Sequence, residues 1–346
     1  MDRKQKEVKE NITNKDKILS RIFSENNKIT AIVGLSKNSG KTTFLNWLLS
    51  KSNLGNCGII TTGRDGEELD LVSGNKKPKV IIPNNYYYTT LPHEIIHNSH
   101  FLEVIEKLPF NAVGKPLWLV KTHNNIEAEI VGPASVKSQL NLANHILEKG
   151  ANHIIIDGAL DRKSIALSKE IDSLIIVVSP VAGNLNTIVE ELKKIFFLTK
   201  IPVDKQAVLS SDNICLLKDK RIVELPLKYL FGNEKTLLEQ VSEFKPNKVY
   251  FPGAITEKSF SKIVPMLKKT NLLIKHPLNL HLTDTQLKKL FELTDITSLI
   301  KFHLDGIAVN SYGVNGNNFD CEEMRGKIRT AFPEIPVIDI YEWEKI

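Results

Sequence analysis

The chain has 346 residues, 42% hydrophobic and 25% charged. This excludes a disordered or collagen-like chain, and the length suggests roughly two domains. The net charge of +6 is small for that size. Nucleic-acid binding needs positive charge gathered on one face, so no specific nucleic-acid partner is expected.

Cys57, Cys215 and Cys321 are odd in number and far apart. Neither a disulfide framework nor a CxxC zinc pair follows, and a reducing compartment is expected. Residues 1–28 carry many charges and no apolar core of a signal peptide. No apolar run approaches the ~20 residues that span a bilayer. A cytoplasmic protein with no membrane partner is predicted.

In chain order, residues 1–27 read as a polar tail with a short helix near Lys15–Phe23. Ile29–Val33 is the first strong strand, and a helix over Lys41–Ser50 follows a glycine-rich turn. Cys57–Thr62 is the next strand. Glycines, prolines and polar clusters make residues 63–92 loop-like, with a short strand at Val80–Ile82. Tyr86, Tyr87 and Tyr88 could stack on a base, but an exposed or half-buried loop cluster is the preferred reading.

Strands follow at Leu117–Lys121, Ile126–Val131, His153–Ile156 and Leu174–Val178, and helices at Ser135–Leu147 and Leu185–Leu198. The alternation predicts a doubly wound α/β fold with a mostly parallel sheet, of the P-loop NTPase type. Past residue 205 the texture weakens. Short strands are expected at Ala207–Leu209, Ile214–Leu217, Arg221–Leu225, Lys248–Phe251, Leu272–Ile274, Gly306–Val309 and Val337–Ile340. Helices are expected near Glu257–Lys268, Thr285–Leu293 and Cys321–Ala331. The domains then read as a tail (1–27), a nucleotide-binding domain (28–205) and an α/β C-terminal region (206–346). That last region either extends the sheet or forms a small second domain.

The most informative segment is Gly34-Leu35-Ser36-Lys37-Asn38-Ser39-Gly40-Lys41-Thr42-Thr43. It follows a strand and opens a helix, the setting of a phosphate-binding loop. Backbone N–H groups at the helix start and the helix dipole both attract an anion. Gly40 lets the main chain approach the phosphates, Lys41 reaches the β- and γ-phosphates, and the Thr42 hydroxyl ligates Mg²⁺. The usual GxxxxGK[ST] spacing would place glycine at position 35, but Leu35 stands there and Gly34 lies one residue further out. The longer loop resembles those of dethiobiotin synthetase and the cobyrinate amidating enzymes, in the same branch as the MobB proteins. Some dimeric ATPases of that branch send an extra lysine across an interface. Lys37 stands one residue nearer to Lys41 than that lysine does. It reads better as a solvated residue or a phosphate contact within its own subunit, and a homodimer stays open.

A P-loop needs a carboxylate at the end of a neighbouring strand to hold Mg²⁺ or its water. Asp157 closes the apolar run 153–156 and is the first candidate. Asp161 and Arg162 follow it, with Asp161 equally placed to cap a helix. Gly63-Arg64-Asp65-Gly66-Glu67 is a switch-like loop, in which Asp65 and Glu67 are candidate metal- or water-orienting acids. His93-Glu94-Ile95-Ile96-His97 matches the HExxH zinc pattern. Pro92 and the polar cluster before it point to a short helix, and no third ligand announces itself downstream, so a zinc site is not expected.

GLSKNSGKTT (34–43), TTGRDGE (61–67), VGPASV (131–136) and HIIIDGALDRKS (153–164) together resemble the lysine 5,6-aminomutase reactivase subunit (KamB) family. The likeness continues through VYFPGAIT (249–256), VNSYG…FD (309–320) and IPVIDI (335–340). It implies an ATP- and Mg²⁺-dependent subunit that helps exchange damaged cobalamin in an adenosylcobalamin-dependent aminomutase. It also implies a MutS-like ATPase as companion. Two other functions compete: an ATP-dependent, carboxylate-activating synthetase of the dethiobiotin type, and a MobB-like nucleotide-binding module of cofactor assembly. No glutaminase arrangement is evident, and the absence of an NKxD motif favours ATP over GTP.

Overall fold

A computed structural model describes residues 14–25, 27–51, 55–61, 64–65, 79–112, 114–158, 168–313, 316 and 318–341. Its contacts divide the chain into two units, 1–190 with 304–346, and 191–303. The boundary between them lies inside a helix, and the chain returns to the first unit after residue 303.

The first unit opens with helix α1 (14–22), which places Ile18 and Ile22 in the core beside Ile32. Strand β1 (Ile29–Gly34) is buried along its whole length. Helix α2 (Lys41–Lys51) covers the sheet with Phe44, Leu45, Trp47, Leu48 and Leu49. Strands β2 (Cys57–Thr61), β3 (Arg64–Asp65), β4 (Val80–Ile82) and β5 (Tyr87–Thr90) follow, then the short helix α3 (Pro92–His97). Strands β6 (Leu102–Ala112) and β7 (Lys115–Thr122) form a long antiparallel pair. Strands β8 (Ile126–Ala128) and β9 (Ile130–Val131) lead to α4 (Val136–Glu148), capped by Ser135, whose hydroxyl accepts from the Ser138 N–H at 3.1 Å. Strands β10 (His153–Gly158) and β11 (Ser173–Val178) precede helix α5 (Leu185–Leu198), within which the unit boundary lies.

The second unit holds β12 (Cys215–Lys218), β13 (Arg221–Glu224), α6 (Glu234–Phe244), β14 (Lys248–Phe251), β15 (Ile255–Thr256), α7 (Glu257–Leu267), β16 (Asn271–Ile274), β17 (Leu280–His281), α8 (Asp284–Leu293) and β18 (Ile296–Ser298). Its five-stranded sheet has the order β13-β12-β14-β16-β18, parallel over the last three. The Thr283 capping box starts α8. The chain then re-enters the first unit through β19 (Gly306–Val309), α9 (Cys321–Ala331) and β20 (Val337–Asp339).

The main sheet has nine strands in the order β20-β19-β11-β1-β10-β2-β5-β7-β6. It is parallel from β20 to β5, and β7 and β6 add the antiparallel end. This is the α/β doubly wound, mostly parallel sheet that the sequence predicts. Strands buried on both faces need unbroken apolar runs, which Ile154-Ile155-Ile156 and Leu174–Val178 supply. The chain leaves β1 toward β2 and β5, then passes β1 again to place β11, β19 and β20 on its other side. At such a reversal the carboxyl ends of parallel strands open a crevice.

Two expectations need correction. Tyr86, Tyr87 and Tyr88 are 1%, 5% and 0% exposed, so they fill the core and offer no stacking surface. Residues 207–209 form no strand, while β5, β6 and α6 arise where none was expected. Among the described residues, no helix is long and apolar enough to cross a membrane.

Candidate functional site

Residues 34–43 link β1 to α2 at the carboxyl edge of the main sheet. The Leu35 N–H donates to the Val177 carbonyl at 2.8 Å, tying the loop's start to β11. Asn38 and Gly40 then turn the chain with φ of 59° and 91°. Asparagine and glycine tolerate that left-handed region where other side chains are strained. Gly34 has a second reason: a Cβ there would lie 2.7 Å from the Ser36 carbonyl and overlap the Ser39 hydroxyl. The Phe44 N–H bonds the Gly40 carbonyl at 3.0 Å, so helical bonding begins directly behind the loop.

α2 has no acidic residue in its first turn, which leaves its N-terminal N–H groups and dipole available to an anion. Lys37 and Asn38 are exposed, while Lys41, Thr42 and Thr43 are half-buried. The Ser36 and Ser39 hydroxyl oxygens are sealed from solvent without a hydrogen-bond partner among the described residues. Buried hydroxyls ordinarily find partners, and both lie within the loop. Ser179, one residue past the end of β11, shares this state.

Asp157 lies on β10, directly beside β1. It is level with Ile32 on one side and with Thr61 of β2 on the other. At 2% exposure its carboxyl is out of bulk water, where a nearby cation favours the charged form. Asp65 belongs by its backbone to β3, paired with Ile130 of β9. Glu67, Gly63, Gly66, Asp161 and Arg162 lie outside the described residues.

The sequence reading missed Asn310, immediately after β19. Its side-chain amide donates to the Ser39 carbonyl at 3.2 Å, and its Oδ1 accepts from the Tyr312 N–H at 3.1 Å. A Cβ on Gly40 would strike this amide, so Gly40 is required by packing as well as by φ. One signal was present: like Asp157, Asn310 is a polar residue that directly follows an apolar run on a buried strand. Beyond it, Asp339 ends β20 with its carboxyl 3.5 Å from Arg325 Nη1. Burial pushes the Asp339 carboxyl up, against the lowering effect of Arg325 and Arg329.

The HExxH residues also reach this edge, because α3 follows β5. His93 and Glu94 come together with Glu129, and His97 is not part of the group. Compared with known proteins, the sequence matches no family model and no curated protein.

Proposed function

We propose that the unit formed by 1–190 and 304–346 binds Mg-ATP at Gly34–Thr43 and hydrolyses it. The observation that carries this reading is the loop itself. It links a buried parallel strand to a helix free of acids in its first turn, with two left-handed residues and two sealed serine hydroxyls. Lys41 would take the β- and γ-phosphates, and the loop N–H groups of 36–43 would cradle them. The residues present also fit Mg²⁺: Thr42 and the buried Asp157 would hold it, with Asp65 as a further ligand. When bound, that ion would neutralise charge on the phosphate oxygens. Asp65 and Glu67 remain the proposed acids for orienting water. ATP is preferred to GTP because no NKxD motif is present.

The client is inferred from the resemblance of 34–43, 61–67, 131–136 and 153–164 to reactivase subunits. On that reading this cytoplasmic chain acts with a MutS-like ATPase on an adenosylcobalamin-dependent aminomutase, so that damaged cobalamin leaves. Nucleotide state can move the client only if it changes affinity for one of its conformations. The test is an aminomutase inactivated by turnover, supplied with fresh cofactor, Mg-ATP, the companion ATPase and this chain. Regained activity is expected. No gain over the mixture lacking this chain contradicts the reactivase role, and ATP-dependent ligation of a small carboxylate would establish a synthetase instead.

A further inference from the structure

We propose that His93, Glu94 and Glu129 form a binding site for one divalent transition-metal ion, with zinc the best match. The site lies on the same sheet edge as the phosphate loop. Along that edge β1, β10, β2 and β5 follow in order, so the strand that leads into α3 lies about 14 Å from β1.

The geometry is close to what a metal needs. One ligand atom from each of the three residues lies within 4.8 Å of the others. Zinc bound tetrahedrally at about 2.1 Å from each ligand would set them roughly 3.4 Å apart. His93 Nε2 and Glu129 Oε2 are already 3.3 Å apart. The remaining closure needs only side-chain movement, and His93 is half exposed, so an ion can enter from solvent.

The carboxylates are also held in place. Glu94 Oε1 accepts from Asn98 Nδ2 at 2.7 Å and from the Glu129 N–H at 3.3 Å. The Glu129 carbonyl accepts from Thr90 Oγ1 at 2.7 Å, fixing the segment between β8 and β9. Such outer bonds orient ligands in metal sites.

A separate observation points to a ligand. Tyr88 is 0% exposed, and its hydroxyl has no hydrogen-bond partner among the described residues. Tyr88 stands two residues before Thr90 on β5, on the same face of the strand as the residue whose hydroxyl holds the Glu129 carbonyl.

The donor set selects the ion. Imidazole with two carboxylates suits zinc, iron(II) or manganese, whereas Mg²⁺ prefers all-oxygen shells. Three protein ligands leave the fourth position for water or an anionic group. This differs from an HExxH site, where His93 and His97 would ligate and Glu94 would act as base. Glu129, 32 residues past His97 in the sequence, takes the second histidine's place. The inference does not depend on the nucleotide reading.

The test is zinc binding to the full, tag-free chain, stripped of metal and titrated against a chelator. One zinc per chain is expected, undisturbed by millimolar Mg²⁺. His93→Ala and Glu129→Gln should each weaken binding tenfold or more, while His97→Ala retains it. Thermal melting of each variant checks that it folds. Glu94→Gln, also tenfold weaker, supplies a third ligand variant. The proposal is overturned if the wild type binds no stoichiometric zinc, if His93→Ala binds as well as wild type, or if His97→Ala loses as much as His93→Ala.

Discussion

Lys41 and Asn310 are expected to fail in different ways when replaced. On the proposed reading, Lys41→Ala would remove a charge-assisted phosphate contact of roughly 1.5–3 kcal/mol, and should weaken Mg-ATP binding by about tenfold or more. Asn310→Ala touches no phosphate contact of Lys41. It removes the bond to the Ser39 carbonyl and opens space beside Gly40. A milder loss of affinity, a few-fold, is expected by calorimetry, with the Lys41 contact intact. An Asn310→Ala variant that binds like wild type would show that the loop holds its shape unaided. Lys41 can be proposed from the sequence because its spacing from Gly34 and Thr42 is local. Asn310 cannot, because it meets the loop across 271 residues of separation, and no local pattern encodes that contact.

At the scale of elements, strands with unbroken apolar runs were legible: Lys248–Phe251 and Gly306–Val309 lie where expected. The helices Leu185–Leu198 and Cys321–Ala331 agree as well. β6 escaped because it is an edge strand, rich in charge, carrying Pro109 and with register shifts against β7. Those features protect an edge from unwanted pairing and erase the apolar signal. β5 escaped because Tyr87-Tyr88-Thr89-Thr90 follows Pro83, Asn84 and Asn85, a turn-like run. Asn85 does turn, with φ of 67°, but the strand begins two residues later.

β10 also carries a pH dependence. His153 Nδ1 lies 3.1 Å from the Asn27 carbonyl and Nε2 lies 3.0 Å from Thr30 Oγ1, and burial lowers its pKa to about 4. In the second unit, His276 Nδ1 accepts from the Leu278 N–H at 3.1 Å, and burial lowers its pKa to about 4 too. Between the ordinary histidine value and pH 4 the unfolded chain binds protons that the folded chain does not. Stability is therefore lost as pH falls through that window. Each histidine should cost about 1.5 kcal/mol between pH 6.5 and pH 5. His153→Asn should flatten the fall in melting temperature from pH 7 to pH 5, and an unchanged fall would refute the assignment.

At the scale of the molecule, the chain leaves the first unit and comes back to finish it. β19 pairs with β11, and Ile307, Ala308 and Val309 are 0% exposed. Ile338 and Ile340 join the core that holds Ile32 and Phe44. Truncation after His303 is therefore expected to unfold the first unit, which circular dichroism and loss of solubility would report. A truncated chain that still binds Mg-ATP would refute this dependence. The sequence could not place the return, because β19 and β20 read as two more short strands and their partners in the sheet are set by tertiary pairing. The central claim, that Gly34–Thr43 binds nucleotide, is tested most directly by calorimetric titration of Mg-ATP into the full chain and its Lys41→Ala variant. Saturable binding at one site per chain, weakened about tenfold or more by the substitution, is the result this account requires. No binding by the wild type, or equal affinity in the two proteins, would contradict it.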